Sequence, residues 1–203
     1  MITVVTAMGL EYQAARRALP PDINVLQAGI SLSREHDRIS GTAISCGVAG
    51  GLREDLPGGT VLIPRSVRRP DGTIEQCDVQ TAEALIAAAR SLGIEPVDAP
   101  LLTSDAIVHG AQRQRWASQG YAGVDMETGR INADGIAAVR VVLDTPKHEI
   151  SEAWANPKTV IFNPRAWLDL PMMARDAPRY ARLAAAIISS ALRSSSVRSM
   201  NPQ

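Results

Sequence analysis

Apolar and polar positions along the chain follow two rhythms that replace one another repeatedly. Short runs rich in β-branched residues, bounded by Gly, Pro or polar pairs, predict strands over 2–7, 23–28, 42–48, 60–63, 101–106, 121–126 and 137–144. Between them, Leu10, Ala14, Ala15 and Leu19 recur at helical spacing until Pro20-Pro21 stop the pattern. Ala84, Leu85, Ala87, Ala88 and Leu92 do the same within 81–92, with Gly93 as the stop. A closing helix over 176–192 offers Ala177, Tyr180, Ala181, Ala184, Ile187 and Ile188 as its buried face. Asp71-Gly72 between 66–68 and 73–75 is a two-residue hairpin signal. The connection 127–136 is short for a crossover and predicts a stubby helix, and the polar segment 32–40 reads as a solvated short helix or loop. Strands alternating with helices place the chain in the α/β class.

At 203 residues and 45% hydrophobic content, the chain can bury a full core as one domain, taken as 1–192 with a frayed tail over 193–203. Basic and acidic residues balance at 21 each, so no global field favours nucleic acid or an anionic membrane. Cys46 and Cys77 lack ligand spacing, which predicts no disulfide framework and no zinc site and fits a reducing cytoplasm. The N-terminus shows no basic leader, and no apolar run approaches spanning length, so a cytoplasmic protein without membrane insertion is expected.

The candidate chemistry gathers where strands end. Asp125 and Glu127 follow one apolar run, and Asp144 closes the next, at the sheet edge where ligands usually bind. Glu11 sits in the first turn of a helix just beyond the first strand, where a carboxylate also has a purely local reason to be. Asp105 ends another strand and could cap the element after it. The run Gly47-Val48-Ala49-Gly50-Gly51-Leu52 reads as a small-residue turn after a buried strand, open to close approach of a ligand to backbone N–H groups. It lacks the lysine of a nucleotide-triphosphate loop. His36 and His109 read as loop histidines, and Arg65, Arg68 and Arg69 read as solvated edge-strand charges or as an anion site. Trp154, Phe162 and Trp167 form an aromatic stretch that could wall a site or anchor a loop.

Several of these pieces together resemble the superfamily of purine nucleoside phosphorylases and methylthioadenosine/S-adenosylhomocysteine nucleosidases. They are 6–11 (Thr-Ala-Met-Gly-Leu-Glu), 47–52 with 57–64, 103–106 (Thr-Ser-Asp-Ala), 124–127 (Val-Asp-Met-Glu) and 139–144 (Val-Arg-Val-Val-Leu-Asp), in the family's order. The resemblance is nearest to the hopanoid-associated phosphorylase group, through 45–52, 125–127, 140–146 and the 170–186 ending, and so implies adenosylhopane as a substrate. It implies a three-layer α/β/α fold around a twisted mixed sheet, a purine nucleoside as small-molecule partner, no metal or redox cofactor, and a homo-oligomer.

By the same resemblance Asp144 is the acid that protonates the base, Glu127 accepts from the ribose 2′ and 3′ hydroxyls, and Met126 packs on the sugar beside Asp125. Glu11 matches the residue that activates water, Val108 the backbone lining the base, and Val48, Ala49 and Gly50 the glycine run under the sugar. Phosphate would be a co-substrate if the reaction were phosphorolytic. The hydroxyl and arginine expected near the glycine run of phosphorolytic relatives are replaced by Val48 and Ser45, and with Glu11 present this favours hydrolysis. Leu143 stands where relatives commonly carry Ser, and segments 31–40 and 128–136 are shorter than usual, leaving a more open pocket or an inactive nucleoside-binding module.

Overall fold

The computed structural model describes residues 1–33, 37–151 and 164–200, with side chains described for 1–33, 37–151 and 169–194. His36, Trp154 and Phe162 therefore lie outside the described residues, as does the side chain of Trp167.

Nine strands form one mixed sheet. They are β1 (Ile2–Thr6), β2 (Asn24–Gln27), β3 (Ile39–Gly51), β4 (Val61–Leu62), β5 (Ser66–Arg68), β6 (Ile74–Gln76), β7 (Leu101–Thr103), β8 (Gly123–Asp125) and β9 (Ala133–Asp144). Among the described residues the helices are α1 (Gly9–Ala18), α2 (Val79–Ser91), α3 (Ala111–Ser118) and α4 (Pro164–Met200). β3 is the spine: it pairs in parallel with β1 on one side and β9 on the other, and its last residues, Gly50 and Gly51, turn to pair antiparallel with β8. From β8 the sheet continues through β7 and β5 to the β5–β6 hairpin, formed around Asp71-Gly72 as expected.

Side-chain alternation along β9 sorts the core. Ala137, Val139, Val141 and Leu143 face a cluster built with Leu85 of α2, Ala15 of α1 and Ile187 and Ile188 of α4. Ile136, Ala138 and Val142 face a second cluster with Val5, Leu62, Val67 and Leu101, enclosed by the curling sheet. α3 covers β7 and β8 from outside through Trp116 and Ala117 on Leu102, Tyr121 and Val124. The three-layer α/β/α arrangement is thus present, with its third layer reduced to α3 and turns.

The local structure departs from expectation at five places. The glycine run 47–52 is not a turn after the strand: β3 continues through it to Gly51, with one irregularity between Ala49 and Gly50. The expected stubby helix over 127–136 is a single 3₁₀ turn, Thr128–Arg130, because β9 already begins at Ala133. β7 stops at Thr103, and Asp105 caps nothing; it pairs with Arg130 at the surface, while Gly110 precedes α3. α3 itself was not expected: Gln-Arg-Gln-Arg in its first half gives little apolar rhythm to read. The closing helix also runs further than 176–192 and carries Pro171 and Pro178 inside it. The imide nitrogen of Pro178 has no N–H to give the carbonyl of Ala174.

Asp78 caps α2, accepting from Thr81 N–H at 2.8 Å. Arg65 pairs with Glu83 and Asp98, Arg69 with Glu75, and Arg68 lies over the Trp116 ring, so the edge-strand arginines are spent on neighbours. Cys46 and Cys77 are buried free thiols. No described helix is long and apolar enough to cross a membrane.

Ile187 is fully buried where α4 meets the sheet, whereas Ile74 is 57% exposed on the β6 edge. Ile187→Ala should cost about 2–5 kcal/mol of unfolding free energy in urea titration, and Ile74→Ala less than about 0.5 kcal/mol.

Candidate active site

The irregularity in β3 and β9 is what aims the acid. From Thr42 to Ala49 the two strands run in step, Gly47 opposite Arg140 and Ala49 opposite Val142, but Gly50 then faces Asp144 rather than Leu143. Arg140, Val142 and Asp144 share one face of β9, so two charges stand two alternations apart on an otherwise apolar strand. Both are buried, Arg140 at 1% and Asp144 at 3% exposure.

Around Arg140 lies a cluster of carboxylates. Its guanidinium donates to Ser45 Oγ at 2.6 Å, to the Val48 carbonyl at 3.2 Å and to Glu127 Oε2 at 3.4 Å, and pairs with Asp125 Oδ2 at 2.7 Å. Asp125 also accepts from the hydroxyls of Thr103 and Thr128 and from Thr128 N–H, so its carboxylate is committed to holding this corner. Glu127 keeps freer valence: Ser31 N–H donates to Oε1 at 3.1 Å, and burial pushes its carboxyl up to about 7 against the pull of Arg140. Ser31 holds that position in the left-handed region, with φ of 54°.

Glu11 completes the group from α1. Its Oε2 accepts from the N–H groups of Ala7 (3.1 Å) and Met8 (2.9 Å), and its Oε1 from Val48 N–H at 3.0 Å. The bond back to Met8 is a helix cap, and the bond to Val48 ties that cap to the glycine run. Burial raises its pKa, while Arg140 and the three N–H groups draw it down. Gly47 is required here: a Cβ would overlap the Glu11 carboxylate and come 2.9 Å from Arg140 Nη1.

Asp144 has a partner that sequence reasoning missed. Arg113, on α3 and 1% exposed, donates through Nη2 to Asp144 Oδ2, through Nη1 to the Gly51 carbonyl at 2.7 Å and through Nε to the Val108 carbonyl at 2.8 Å. Burial raises the Asp144 carboxyl, and the Arg113 guanidinium opposes that rise. Arg140 and Asp144 are the two charges of the apolar run 136–144; Val48 and Ser45 hold the positions expected of them, and the guanidinium that reaches the glycine run comes from β9. Arg113 sits in a polar stretch, Ala-Gln-Arg-Gln-Arg, where nothing in the pattern sets it apart from Arg115.

All the acids open on one cavity of about 750 Å³. Glu11, Asp125, Glu127 and Asp144 line it with Arg113, on a floor of Val48, Ala49 and Gly50 beside Met126 and Val108. Leu10, Ile30, Leu170, Met173 and Pro178 make an apolar wall. His109 stands outside, its Nδ1 3.4 Å from Glu149. Among the described residues no group of three or more His, Cys, Asp or Glu could hold a metal ion. The arrangement combines a buried acid of raised pKa with two further buried carboxylates, each able to accept hydrogen bonds.

Comparison with known proteins agrees with this architecture. Residues 36–132 match the Phosphorylase superfamily model, a stretch that includes Glu127 and excludes Glu11 and Asp144. No curated protein sequence matches the chain. Among solved structures, 5′-methylthioadenosine/S-adenosylhomocysteine nucleosidase from Neisseria meningitidis, in complex with methylthio-immucillin-A, aligns with TM-score 0.70 at 17% identity over 95% of this chain and 98% of its own. A mutant of the Helicobacter pylori nucleosidase with 5′-methylthioadenosine in its active site aligns at 0.68 and 14% identity, over 95% and 98%. Futalosine hydrolase of the same organism aligns at 0.67 and 13%, over 95% and 97%. The fold is that of these proteins.

Because Glu127 moves from the usual 4.5 to about 7 on folding, its contribution to stability is full below pH 4.5 and is lost as pH rises through 7. Glu127→Gln should therefore flatten the fall in unfolding free energy between pH 4.5 and 7.5 by roughly 2–3 kcal/mol, read from urea midpoints of variant and wild type.

Proposed function

We propose that the protein is an enzyme that hydrolyses the N-ribosidic bond of an adenosine-type purine nucleoside carrying an apolar 5′ substituent. The observation that carries this reading is that Glu11, Glu127 and Asp144, remote in sequence and each buried, line one cavity. Cleaving such a bond builds cationic character on the sugar and negative charge on the base, so it calls for an acid at the base and anions around the sugar.

In the proposed reaction Asp144 gives its proton to a ring nitrogen of the base as the C1′–N bond breaks and its electron pair leaves with the base. Glu127 accepts from the ribose 2′ and 3′ hydroxyls. Water held by Glu11 adds its oxygen to C1′ and passes its proton to the Glu11 carboxylate. The products are the free base and the free sugar, and the residues need no cofactor for any step. Met126 and the glycine run support the sugar, and the Val108 backbone borders the base.

Hydrolysis is favoured over phosphorolysis by what already occupies the glycine run. Val48 N–H is taken by the Glu11 carboxylate, and the Arg140 guanidinium is spent on Asp125, Glu127 and Ser45. A phosphate would meet two carboxylates where it needs free donors. The apolar wall formed by Leu10, Ile30, Leu170, Met173 and Pro178 supports a large hydrophobic 5′ group. Adenosylhopane is the finer candidate, on the strength of that wall and the motif resemblance.

In phosphate-free buffer, adenine release from 5′-alkylthioadenosines should rise in kcat/KM by about 3–4-fold for each methylene buried on the wall. Asp144→Asn should lower kcat by about 10²–10⁴-fold. Release unaffected by the Asn substitution contradicts the role of Asp144, and purine binding without release from any of these nucleosides would make the protein a binding module.

A further inference from the structure

The way Asp144 is held tells its two oxygens apart. Oδ2 receives Arg113 Nη2 and also faces Ile150 N–H at 3.5 Å, so it has donors on it already. Oδ1 borders Gly50: a Cβ there would stand 3.1 Å from it, and the absence of that side chain leaves room at this oxygen on the cavity floor. Arg113 is fixed in turn by the carbonyls of Val108 and Gly51, and its Nε lies 3.3 Å from Glu149 Oε1. Glu149 accepts from Gly110 N–H at 2.8 Å and reaches His109 with its second oxygen. A four-residue chain therefore runs from the cavity floor to the half-exposed Glu149 and His109. The residues that α4 brings to the cavity, including Leu170, Met173 and Pro178, carry no charge, so Arg113 is the charge acting on Asp144, with Glu149 and His109 behind it.

We propose that Arg113 is a positioning residue for the leaving-group acid: it keeps Oδ2 of Asp144 as an acceptor, so that the proton given to the departing base is carried on Oδ1, and Glu149 moderates the charge Arg113 presents. When Oδ1 loses its proton to the base, the carboxylate left behind is already paired with a guanidinium, which stabilises it as the C1′–N electron pair leaves with the base. Without Arg113 either oxygen could carry the proton, and half of the protonated forms would aim it away from the base. This inference rests on the hydrolytic reading of the site.

The test is the pH profile of kcat/KM for base release, together with the pH dependence of adenine affinity by calorimetry, in wild type, Arg113→Gln, Arg113→Lys and Glu149→Gln. Removing the guanidinium should move the alkaline limb, and the midpoint above which adenine affinity falls, upward by about 1 unit or more, with kcat reduced at least tenfold. Arg113→Lys should bring the limb back toward wild type. Glu149→Gln, on the half-exposed side and still able to accept from Gly110, should move both in the opposite direction, downward. Variants that lose activity while limb and midpoint stay at the wild-type pH would show a merely structural Arg113 and overturn the proposal. Shifts in adenine affinity without turnover in any form would support Arg113 and instead sink the hydrolytic reading, so the two failures are distinguishable.

Discussion

The site depends on how one buried carboxylate is satisfied. Glu11, at 1% exposure, would be strongly destabilising without partners, and the chain supplies three backbone N–H groups and a nearby guanidinium. Those donors come from three places that must meet: the end of β1, the cap of α1 and the glycine run of β3. The carboxylate thereby fixes the angle at which α1 leaves the sheet and the position of Val48 at the cavity floor. Gly47 is part of the same constraint, since any side chain there would occupy the space of the Glu11 carboxylate. Fold and cavity share this contact, because the group that joins the elements also lines the cavity.

Two buried arginines then divide the remaining acids into separate tasks. Arg140 gathers Asp125, Glu127 and Ser45 in one corner, where burial of several like charges is tolerated only because a cation stands among them. Arg113 holds Asp144 alone at the other end of the floor. Asp125 is held by hydroxyls and Arg140, whereas Glu127 is pushed up to about 7 by burial and Asp144 is raised by burial against a single guanidinium. Groups of one chemical type acquire different protonation behaviour through their neighbours, which is how a site can hold an acid and a base together.

The parts legible in the sequence were those set by short-range rules. The apolar runs ending in Asp125 and Asp144 located two strands of the sheet, Asp71-Gly72 located the hairpin, and the motifs containing Glu11, Glu127 and Asp144 identified residues that the fold brings to one cavity. What was not legible depended on contacts across the fold. Val48 in place of a hydroxyl residue was legible together with Glu11, but not that the Glu11 carboxylate takes the Val48 N–H or that Arg140 reaches the Val48 carbonyl from the neighbouring strand. Arg113 belongs to a polar octapeptide helix whose burial is decided by β7, β8 and Asp144, none of which its own sequence reports. The strand β3 continued through its glycines because its neighbours β8 and β9 supply hydrogen bonds there, overriding the turn preference of Gly.

The central claim is that Glu11 has taken the donors a phosphate would need, leaving water as the nucleophile. The direct measurement is the initial rate of base release at saturating nucleoside as inorganic phosphate is raised from zero into the millimolar range, with the sugar product identified by mass spectrometry. The account expects a rate independent of phosphate and a free sugar at every concentration. A rate that vanishes without phosphate and rises with it, yielding the sugar 1-phosphate, would contradict it.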